Sequence, residues 1–364
     1  MKKIHNFSAG PAILPQEALQ EAAEGLKNFK GTGMSVVEIS HRSPEWEESM
    51  AEAESLVREL MGVNDDFAVV FLQGGASSQF TMIPYNFLPQ NGMAAYLKTG
   101  TWASNAIKEA RLFGEVNVVA SSEDKNFNYI PTDYTVPGNS AYFHITTNNT
   151  IFGTQLQEIP ESPVPIIADM SSDIFSRPVQ MEKYGLIYAG AQKNMGPAGT
   201  TLVIVRKDLL GKVDRKIPTM LNYSTHIEKE SMFNTPPVFA IYLSMLTLKW
   251  LKRIGGVNAI QKINQEKAEL LYNEIDSNPL FEGTTAIADR SLMNVTFLMK
   301  DKSFEKDFLA VAENEGCVGL PGHRSVGGFR ASLYNALPKE SVEHLVNVMK
   351  EFAHKHAPNE AYIG

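Results

Sequence analysis

The chain has 364 residues, of which 43% are hydrophobic and 20% charged. These values are close to the average of globular proteins and exclude disordered and collagen-like classes. The net charge of −8 and the lack of any long basic stripe argue against general nucleic-acid affinity. With Cys317 as the only cysteine, an internal disulfide and a cysteine-based metal site are excluded, and we predict no metal centre.

The expected location follows from what the sequence lacks. Its start, MKKIHNFSAG, has two lysines without a following apolar segment, and no apolar run is long enough to span a bilayer. A single cysteine is also typical of a reducing compartment. We therefore expect a soluble cytoplasmic protein that does not bind membranes.

The first clear element in chain order is SPEWEESMAEAESLVRELMGV, which predicts an amphipathic helix with Ser43 at the N-cap and Pro44 at its first position. Seven apolar runs follow, each typical of a strand buried on both faces. They are FAVVFL (67–72), MAAYL (93–97), VNVVA (116–120), AYFHIT (141–146), VPIIAD (164–169), LIYAGA (186–191) and TLVIVR (201–206). Connected by helices, they predict an α/β fold with a mostly parallel seven-stranded sheet covered by helices.

The C-terminal third has a different pattern. A helix from about Val238 to Leu251 ends at RIGG, where Gly255 and Gly256 indicate a domain boundary. Helices near 258–276, 303–315 and 339–355, with a strand at NVTFLM, predict a smaller α+β C-terminal domain. We therefore predict a large domain at 16–256 and a small domain formed by 1–15 and 257–364, with the first fifteen residues packed across the junction.

Ligands of open α/β sheets gather at the carboxyl ends of the strands. The run FAVVFL is followed by QGGASSQF, whose glycines and hydroxyl residues open a helix and could form an anion cup for a phosphate monoester. A simple tight turn is the alternative. No Gly-Lys-Ser/Thr or GxGxxG pattern is present, which argues against a nucleotide.

Two further strand ends carry charged residues. Asp169 follows VPIIA, where it is either a turn carboxylate or a group that holds a heteroaromatic nitrogen protonated. Lys193 follows LIYAGA among small residues, where it is either a surface lysine or a partly buried amine with a lowered pKa, suited to form a Schiff base. A phosphate cup, a carboxylate and a lysine on one sheet are what pyridoxal 5'-phosphate needs. Trp102 is available to stack on its ring, and a core tryptophan is the alternative.

Eight motifs in order resemble one family. FSAGPAILP, SHRS, QGGASSQF, GTWA, ADMSSDI, AGAQKNMGPAG, NTPP and GHRSVGGFRAS, spread over residues 7 to about 335, look like those of the phosphoserine aminotransferases. These are class V aminotransferases, which depend on pyridoxal phosphate and have fold type I of the pyridoxal-phosphate enzymes. The resemblance implies that fold here and a homodimer with shared active sites.

The resemblance also implies roles for single residues. Lys193 carries the cofactor and acts in catalysis together with Asp169, which binds the pyridine nitrogen. The other expected cofactor contacts are the ring stack of Trp102, a hydrogen bond from Thr150 to the ring hydroxyl, phosphate contacts of Ala76, Ser77 and Gln192, and the partner-derived pair Asn234 and Thr235.

Arg330 is expected to grip the substrate carboxylate, and two His-Arg pairs, His41 with Arg42 and His323 with Arg324, to surround the substrate phosphate. Arginine suits bidentate contacts to such anions, and histidine adds a donor of variable charge. Surface charge or a turn is the alternative for either pair alone. The loop GGASSQ lacks an arginine that some family members have there, so we expect the His-Arg pairs to carry more of the anchoring.

The implied reaction moves the amino group of L-glutamate to 3-phosphohydroxypyruvate, giving O-phospho-L-serine and 2-oxoglutarate in serine biosynthesis. The related four-carbon phosphorylated oxo acid of vitamin B6 synthesis is a further candidate substrate. Two alternatives stay open: a cysteine desulfurase-like enzyme using Cys317, and a non-catalytic protein that binds a phosphorylated metabolite. The histidines of the tail EFAHKHAPNEAYIG are interpreted as solvated surface residues.

Overall fold

The computed structural model describes residues 2–356. Its α-helices are α1 Gln16–Lys27, α2 Pro44–Met61, α3 Gly75–Phe87, α4 Thr101–Ala110, α5 Tyr223–Glu228, α6 Val238–Arg253, α7 Gly256–Ser277, α8 Glu305–Asn314 and α9 Lys339–His356. Its strands are β1 His5–Asn6, β2 Phe67–Leu72, β3 Met93–Lys98, β4 Glu115–Ser121, β5 Phe143–Thr146, β6 Asn148–Asn149, β7 Thr154–Gln155, β8 Ile166–Asp169, β9 Tyr184–Gly190, β10 Thr201–Arg206, β11 Phe281–Gly283, β12 Asn294–Met299, β13 Cys317–Val318 and β14 Phe329–Ser332.

The predicted amphipathic helix is confirmed as α2. The Ser43 side chain accepts a hydrogen bond from the Trp46 backbone N–H, which caps the helix at its start. Gly62 follows in a left-handed conformation and ends it. The buried face of α2 packs mainly against α6.

The seven predicted strands form one sheet in the order β2-β10-β9-β8-β5-β3-β4. Only β10 is paired antiparallel to its neighbours, β2 and β9, so the prediction of a mostly parallel seven-stranded sheet is confirmed. Side chains alternate between its faces, as strand geometry requires. Val69 and Phe71 enter the core shared with α2 and α6, whereas Val70 and Leu72 enter the core on the α3 and α4 side.

The predicted helical connections between strands are wrong for half of the sheet. In the described chain, α3 follows β2 and α4 follows β3, but no α-helix lies between β4 and β10. The connections there are loops, short 3-10 turns and the small β6–β7 hairpin. The apolar face that they leave is covered instead by helices distant in sequence, α1, α2 and α6.

The C-terminal part has its own core beneath a three-stranded antiparallel sheet, β11-β12-β14, and the helices α7, α8 and α9. The N-terminal strand β1 pairs with β13, and Phe7 enters this same core. The α+β pattern is thus as predicted, while the domain division at residue 256 stays a prediction. His354 and His356 are exposed at the end of α9, and residues 357–364 of the tail lie outside the described residues.

No helix within residues 2–356 is both long and apolar enough to cross a membrane.

Candidate active site

Lys193 lies three residues beyond the end of β9, at the sheet edge where the parallel strands have their carboxyl ends. Its Nζ donates a hydrogen bond to Oγ1 of Thr150 over 2.8 Å and lies 5.7 Å from the centre of the Trp102 ring. Asp169, at the end of the adjacent β8, and Arg330, on β14, both act on its charge. The fold therefore brings together five of the residues named by the sequence.

The environment of Lys193 shifts its amine towards the neutral form. Burial lowers the pKa of the ammonium to about 8, the Asp169 carboxylate opposes this shift, and the Arg330 guanidinium adds to it. An amine with this pKa is partly free at neutral pH, as a nucleophile or base must be. The side chain is also half-buried and hydrogen-bonded to Thr150, so the structure supports a partly buried amine over a surface lysine.

Asp169 is buried at the end of β8, with 5% of its surface exposed. Its Oδ1 accepts a hydrogen bond from the Ser171 backbone N–H at 2.9 Å, and the Ser171 hydroxyl in turn accepts one from the Gly190 N–H at 3.1 Å. These two bonds tie the loop after β8 to the end of β9. Asp169 is held near Lys193 without a direct ion pair between the two.

The segment that was predicted to form a phosphate cup lies at the start of α3. The first N–H groups of an α-helix have no partner within the helix, and here they belong to the turn that contains Ala76 and Ser77. Ser77 is exposed and Ala76 half-buried, so these groups are accessible. Gln192 lies next to Lys193 and is also half-buried. Together these groups can bind an anion at the same sheet edge.

Only one of the two His-Arg pairs is brought to this site. Arg330 donates from Nη1 to the backbone oxygen of Thr150 at 3.1 Å. Burial lowers the pKa of His323, and the nearby charges of Arg330 and Arg324 lower it further. These three side chains thus form one basic cluster.

The other expected site residues lie on two separate segments. Arg42 is exposed, and the Nε2 atom of His41 is buried without a hydrogen-bond partner in the described chain. Asn234 and Thr235 lie beside the phosphate cup of their own chain, where Gln73 donates to the Thr235 backbone oxygen at 3.1 Å. Their contribution to a partner's site stays a prediction.

Sequence reasoning missed the role of the N-terminal segment. A Cβ atom on Gly10 would lie 3.1 Å from Cγ of Lys193, and the φ of Gly10 is +137°, so glycine is required where the segment crosses the lysine. The Ala12 N–H donates to the backbone oxygen of Gln192 at 3.0 Å, and the Tyr334 hydroxyl donates to the backbone oxygen of Ala9 at 2.8 Å. The motif FSAGP was the only available signal.

Not all of the small residues around Lys193 serve the site itself. A Cβ atom on Gly196 would lie 2.9 Å from the Cα of Ser244, so this glycine allows helix α6 to approach closely.

Cys317 does not have the properties of a catalytic thiol. It lies on β13 with 3% of its surface exposed, and burial raises its pKa to about 11. Thiolates are the reactive form, and reactive cysteines are partly exposed with a lowered pKa. The desulfurase alternative is therefore not supported.

Comparison with known proteins gives concordant results. The family model "Aminotransferase class-V" matches residues 4–345. A phosphoserine aminotransferase of Flavobacterium psychrophilum is 58% identical over 98% of this chain and 100% of its own length. The structure of the phosphoserine aminotransferase of Bacillus circulans subsp. alkalophilus has a TM-score of 0.95 at 46% identity, covering 98% of this chain and 99% of the other. A pyridoxal phosphate-bound phosphoserine aminotransferase of Trichomonas vaginalis has a TM-score of 0.91 at 41% identity, covering 96% and 100%.

Proposed function

Because the chain belongs to the class V aminotransferases and, among them, to the phosphoserine aminotransferases, we propose that it transfers the amino group of L-glutamate to 3-phosphohydroxypyruvate. The products are O-phospho-L-serine and 2-oxoglutarate, and the pathway is serine biosynthesis. The observation that carries the proposal is the position of the Lys193 amine, which is held at the sheet edge by Thr150 and lies close to Trp102. Its lowered pKa supports the same role.

The residues at this edge fit pyridoxal phosphate as the cofactor. The start of α3, with Ala76 and Ser77, offers unpaired N–H groups to its phosphate, and Gln192 lies nearby. Four more residues would hold the remainder of the cofactor. Trp102 would contact the face of its ring, Asp169 its pyridine nitrogen and Thr150 its ring hydroxyl. Lys193 would bond to its aldehyde carbon. When bound, the cofactor supplies an electron sink for the bonds at the substrate's Cα.

Once the substrate's amine had replaced it on the cofactor, Lys193 would be free to act as the base of the reaction. Its Nζ would take the proton from Cα of glutamate and pass it on to the cofactor, and in the second half-reaction it would carry a proton back to the corresponding carbon of the oxo acid. A positioned base of this kind typically accelerates a reaction by about 10²–10⁴-fold. The hydrogen bond to Thr150 orients Nζ, and the lowered pKa supplies the unprotonated form near neutral pH.

The basic cluster of Arg330, His323 and Arg324 binds the anionic ends of the substrates. Arg330 is anchored by Thr150, next to the reacting lysine, which suits it to the carboxylate on Cα. His323 and Arg324 suit the phosphate, and the same pocket accepts the side-chain carboxylate of glutamate.

We propose that His41, Arg42, Asn234 and Thr235 complete the site across a homodimer. Both segments carry exposed apolar side chains close by, which supports contact with a second chain: Met34 and Val37 precede the first pair, and Phe233 precedes the second.

The function is tested by a coupled assay with glutamate and each phosphorylated oxo acid in turn. We expect turnover with 3-phosphohydroxypyruvate, and turnover with the four-carbon acid would add a second substrate. No turnover with either acid, with pyridoxal phosphate bound, would overturn the proposal.

The shared site is tested by mixing two inactive variants, Lys193→Ala and Arg42→Ala. If Arg42 acts in the partner's site, mixed dimers contain one site with both residues intact, and activity returns. If each chain uses its own Arg42, no mixed dimer has an intact site and the mixture stays inactive.

A further inference from the structure

Four buried polar side chains form a hydrogen-bonded chain that ends at the N-terminal segment. Ser172 follows β8, Asn148 lies in β6, Asn294 starts β12 and Tyr334 follows β14. Their exposed fractions are 2%, 2%, 0% and 1%. Polar groups this deeply buried are normally paired, because each one left unpaired costs free energy.

The two asparagine amides give the chain its direction. Asn148 Nδ2 donates to Oγ of Ser172 and to Oδ1 of Asn294, both at 2.8 Å. Asn294 Nδ2 donates to Oγ of Ser332 at 3.0 Å and to the hydroxyl oxygen of Tyr334 at 3.2 Å. An amide nitrogen has two protons and only donates. The Tyr334 hydroxyl therefore accepts one hydrogen bond and has its own proton left to donate.

That proton holds the N-terminal segment. The Tyr334 hydroxyl donates to the backbone oxygen of Ala9 at 2.8 Å. Burial raises the pKa of Tyr334 to about 12, so the hydroxyl keeps its proton at neutral pH. Within residues 2–356, this is the only hydrogen bond that joins residues 8–11 to a distant part of the chain, whereas Phe7 and Ala12 on either side are held by backbone hydrogen bonds.

The part of the segment held in this way lies on the side chain of Lys193. A Cβ atom on Gly10 would lie 3.1 Å from Cγ of Lys193 and 3.8 Å from its Cε, so the segment runs along the aliphatic part of the lysine. Gly10 and Pro11 are themselves exposed, so burial of apolar surface contributes little to holding them. The hydrogen bond at Ala9 therefore acts where packing is weakest.

We propose that Tyr334 is a positioning residue, which holds the N-terminal segment against the side chain of Lys193 and so keeps Nζ directed at Thr150. Nζ lies 2.8 Å from Oγ1 of Thr150. Asn294 and Asn148 act one step further back, because they orient the Tyr334 hydroxyl. The tether is a property of the protein alone, whereas its effect on the reaction of the amine with pyridoxal phosphate rests on the proposed function.

The first test measures amide hydrogen exchange in the protein without cofactor. Tyr334→Phe keeps the ring and removes the hydroxyl, so the Ala12 N–H should exchange about 3–10-fold faster, the factor expected for one lost hydrogen bond. The Phe7 N–H should exchange as in the wild type. The control Tyr142→Phe removes a hydroxyl that pairs with Tyr96 in the core beside α3 and α4, and it should change neither amide. Equal acceleration of both amides in Tyr334→Phe, or of neither, would overturn the tether.

The second test changes the direction of the chain and keeps the tyrosine. Asn294→Asp places an oxygen where Nδ2 now donates, so the Tyr334 hydroxyl should donate to this carboxylate in place of the Ala9 oxygen. The segment should then be released, and the Ala12 N–H should exchange as fast as in Tyr334→Phe. Wild-type exchange at Ala12 in folded Asn294→Asp would overturn the proposed direction.

The third test concerns the amine of Lys193. The charged groups that act on it lie outside the N-terminal segment, and they are Asp169, Asp173 and Arg330. A loosened segment should let water reach the amine and raise its pKa towards the ordinary value, because burial is what lowers it. Covalent binding of pyridoxal phosphate, followed by absorption, should therefore require a higher pH in Tyr334→Phe but not in Tyr142→Phe.

The outcomes of this test separate the tether from the proposed function. An unchanged pH profile in Tyr334→Phe, together with faster exchange at Ala12, would overturn the positioning of Lys193. Failure of the wild type to bind pyridoxal phosphate covalently would instead overturn the proposed function, and the exchange measurements would still decide whether the tether exists.

Discussion

Lys193 is half-buried and Lys267 is fully buried, and the two lysines differ in what surrounds them. Lys193 lies at the sheet edge with one hydroxyl partner, Thr150, and a nearby carboxylate. Lys267 lies within α7 with none of its surface exposed, and its Nζ donates to the backbone oxygens of Leu333, Tyr334 and Leu337 at 2.9, 2.9 and 3.1 Å.

Burial lowers both pKa values, to about 8 for Lys193 and about 7 for Lys267. The larger shift thus belongs to the lysine far from any proposed chemistry. The three hydrogen-bond contacts of Lys267 hold the segment after β14, where Asn335 donates its backbone N–H to Asn194 beside the site. A lowered pKa therefore does not identify a catalytic lysine, because its partners decide whether the amine is available.

The largest expected effect is that of Lys193→Ala. It should abolish transamination and the visible absorption band of the imine, while the protein stays folded, because the substitution removes an amine whose burial is costly. Absorption spectra and the coupled assay measure both effects. Retained turnover or a retained band would show that another amine carries the cofactor.

Lys267→Met should produce the opposite result. It leaves three buried carbonyl oxygens without a donor, and the loss should lower the free energy of unfolding by about 2–3 kcal/mol. Activity per folded molecule should persist, because the amine does not touch the substrate. Urea unfolding and the assay separate the two effects, and a large loss of kcat without a loss of stability would remove the contrast between the lysines.

The pH dependence of stability sharpens the comparison further. The pKa of Lys267 is about 7 in the folded protein and about 10.4 when unfolded. Between these values the unfolded chain binds more protons, so this group makes stability rise with pH, by at most about 1.4 kcal/mol per unit. The wild type should therefore gain stability relative to Lys267→Met from pH 7 to 9. A constant difference would show that the pKa of Lys267 is not lowered.

The sequence was sufficient to place the groups that directly follow a strand in the chain. Asp169, Lys193 and the start of α3 could be placed because parallel strands have their carboxyl ends at one edge. Gly10, which crosses Lys193, and helix α6, which packs against Gly196, are distant in sequence, and no local pattern pairs them. Lys267 looks like an ordinary helical lysine, and His144 like part of an apolar strand, because their hydrogen-bond partners appear only in the folded chain.

The smallest effect is expected at Cys317, a third buried group with a shifted pKa. Burial raises that pKa to about 11, so the thiol is protonated and unreactive at neutral pH. Cys317→Ala should leave kcat unchanged and release no sulfide from cysteine in either form, and the native wild-type thiol should react slowly with a disulfide reagent. A strong loss of activity would restore the desulfurase alternative. An unchanged kcat would show that the conclusion drawn from the two lysines also holds for an acidic group: burial alone shifts a pKa without creating a function.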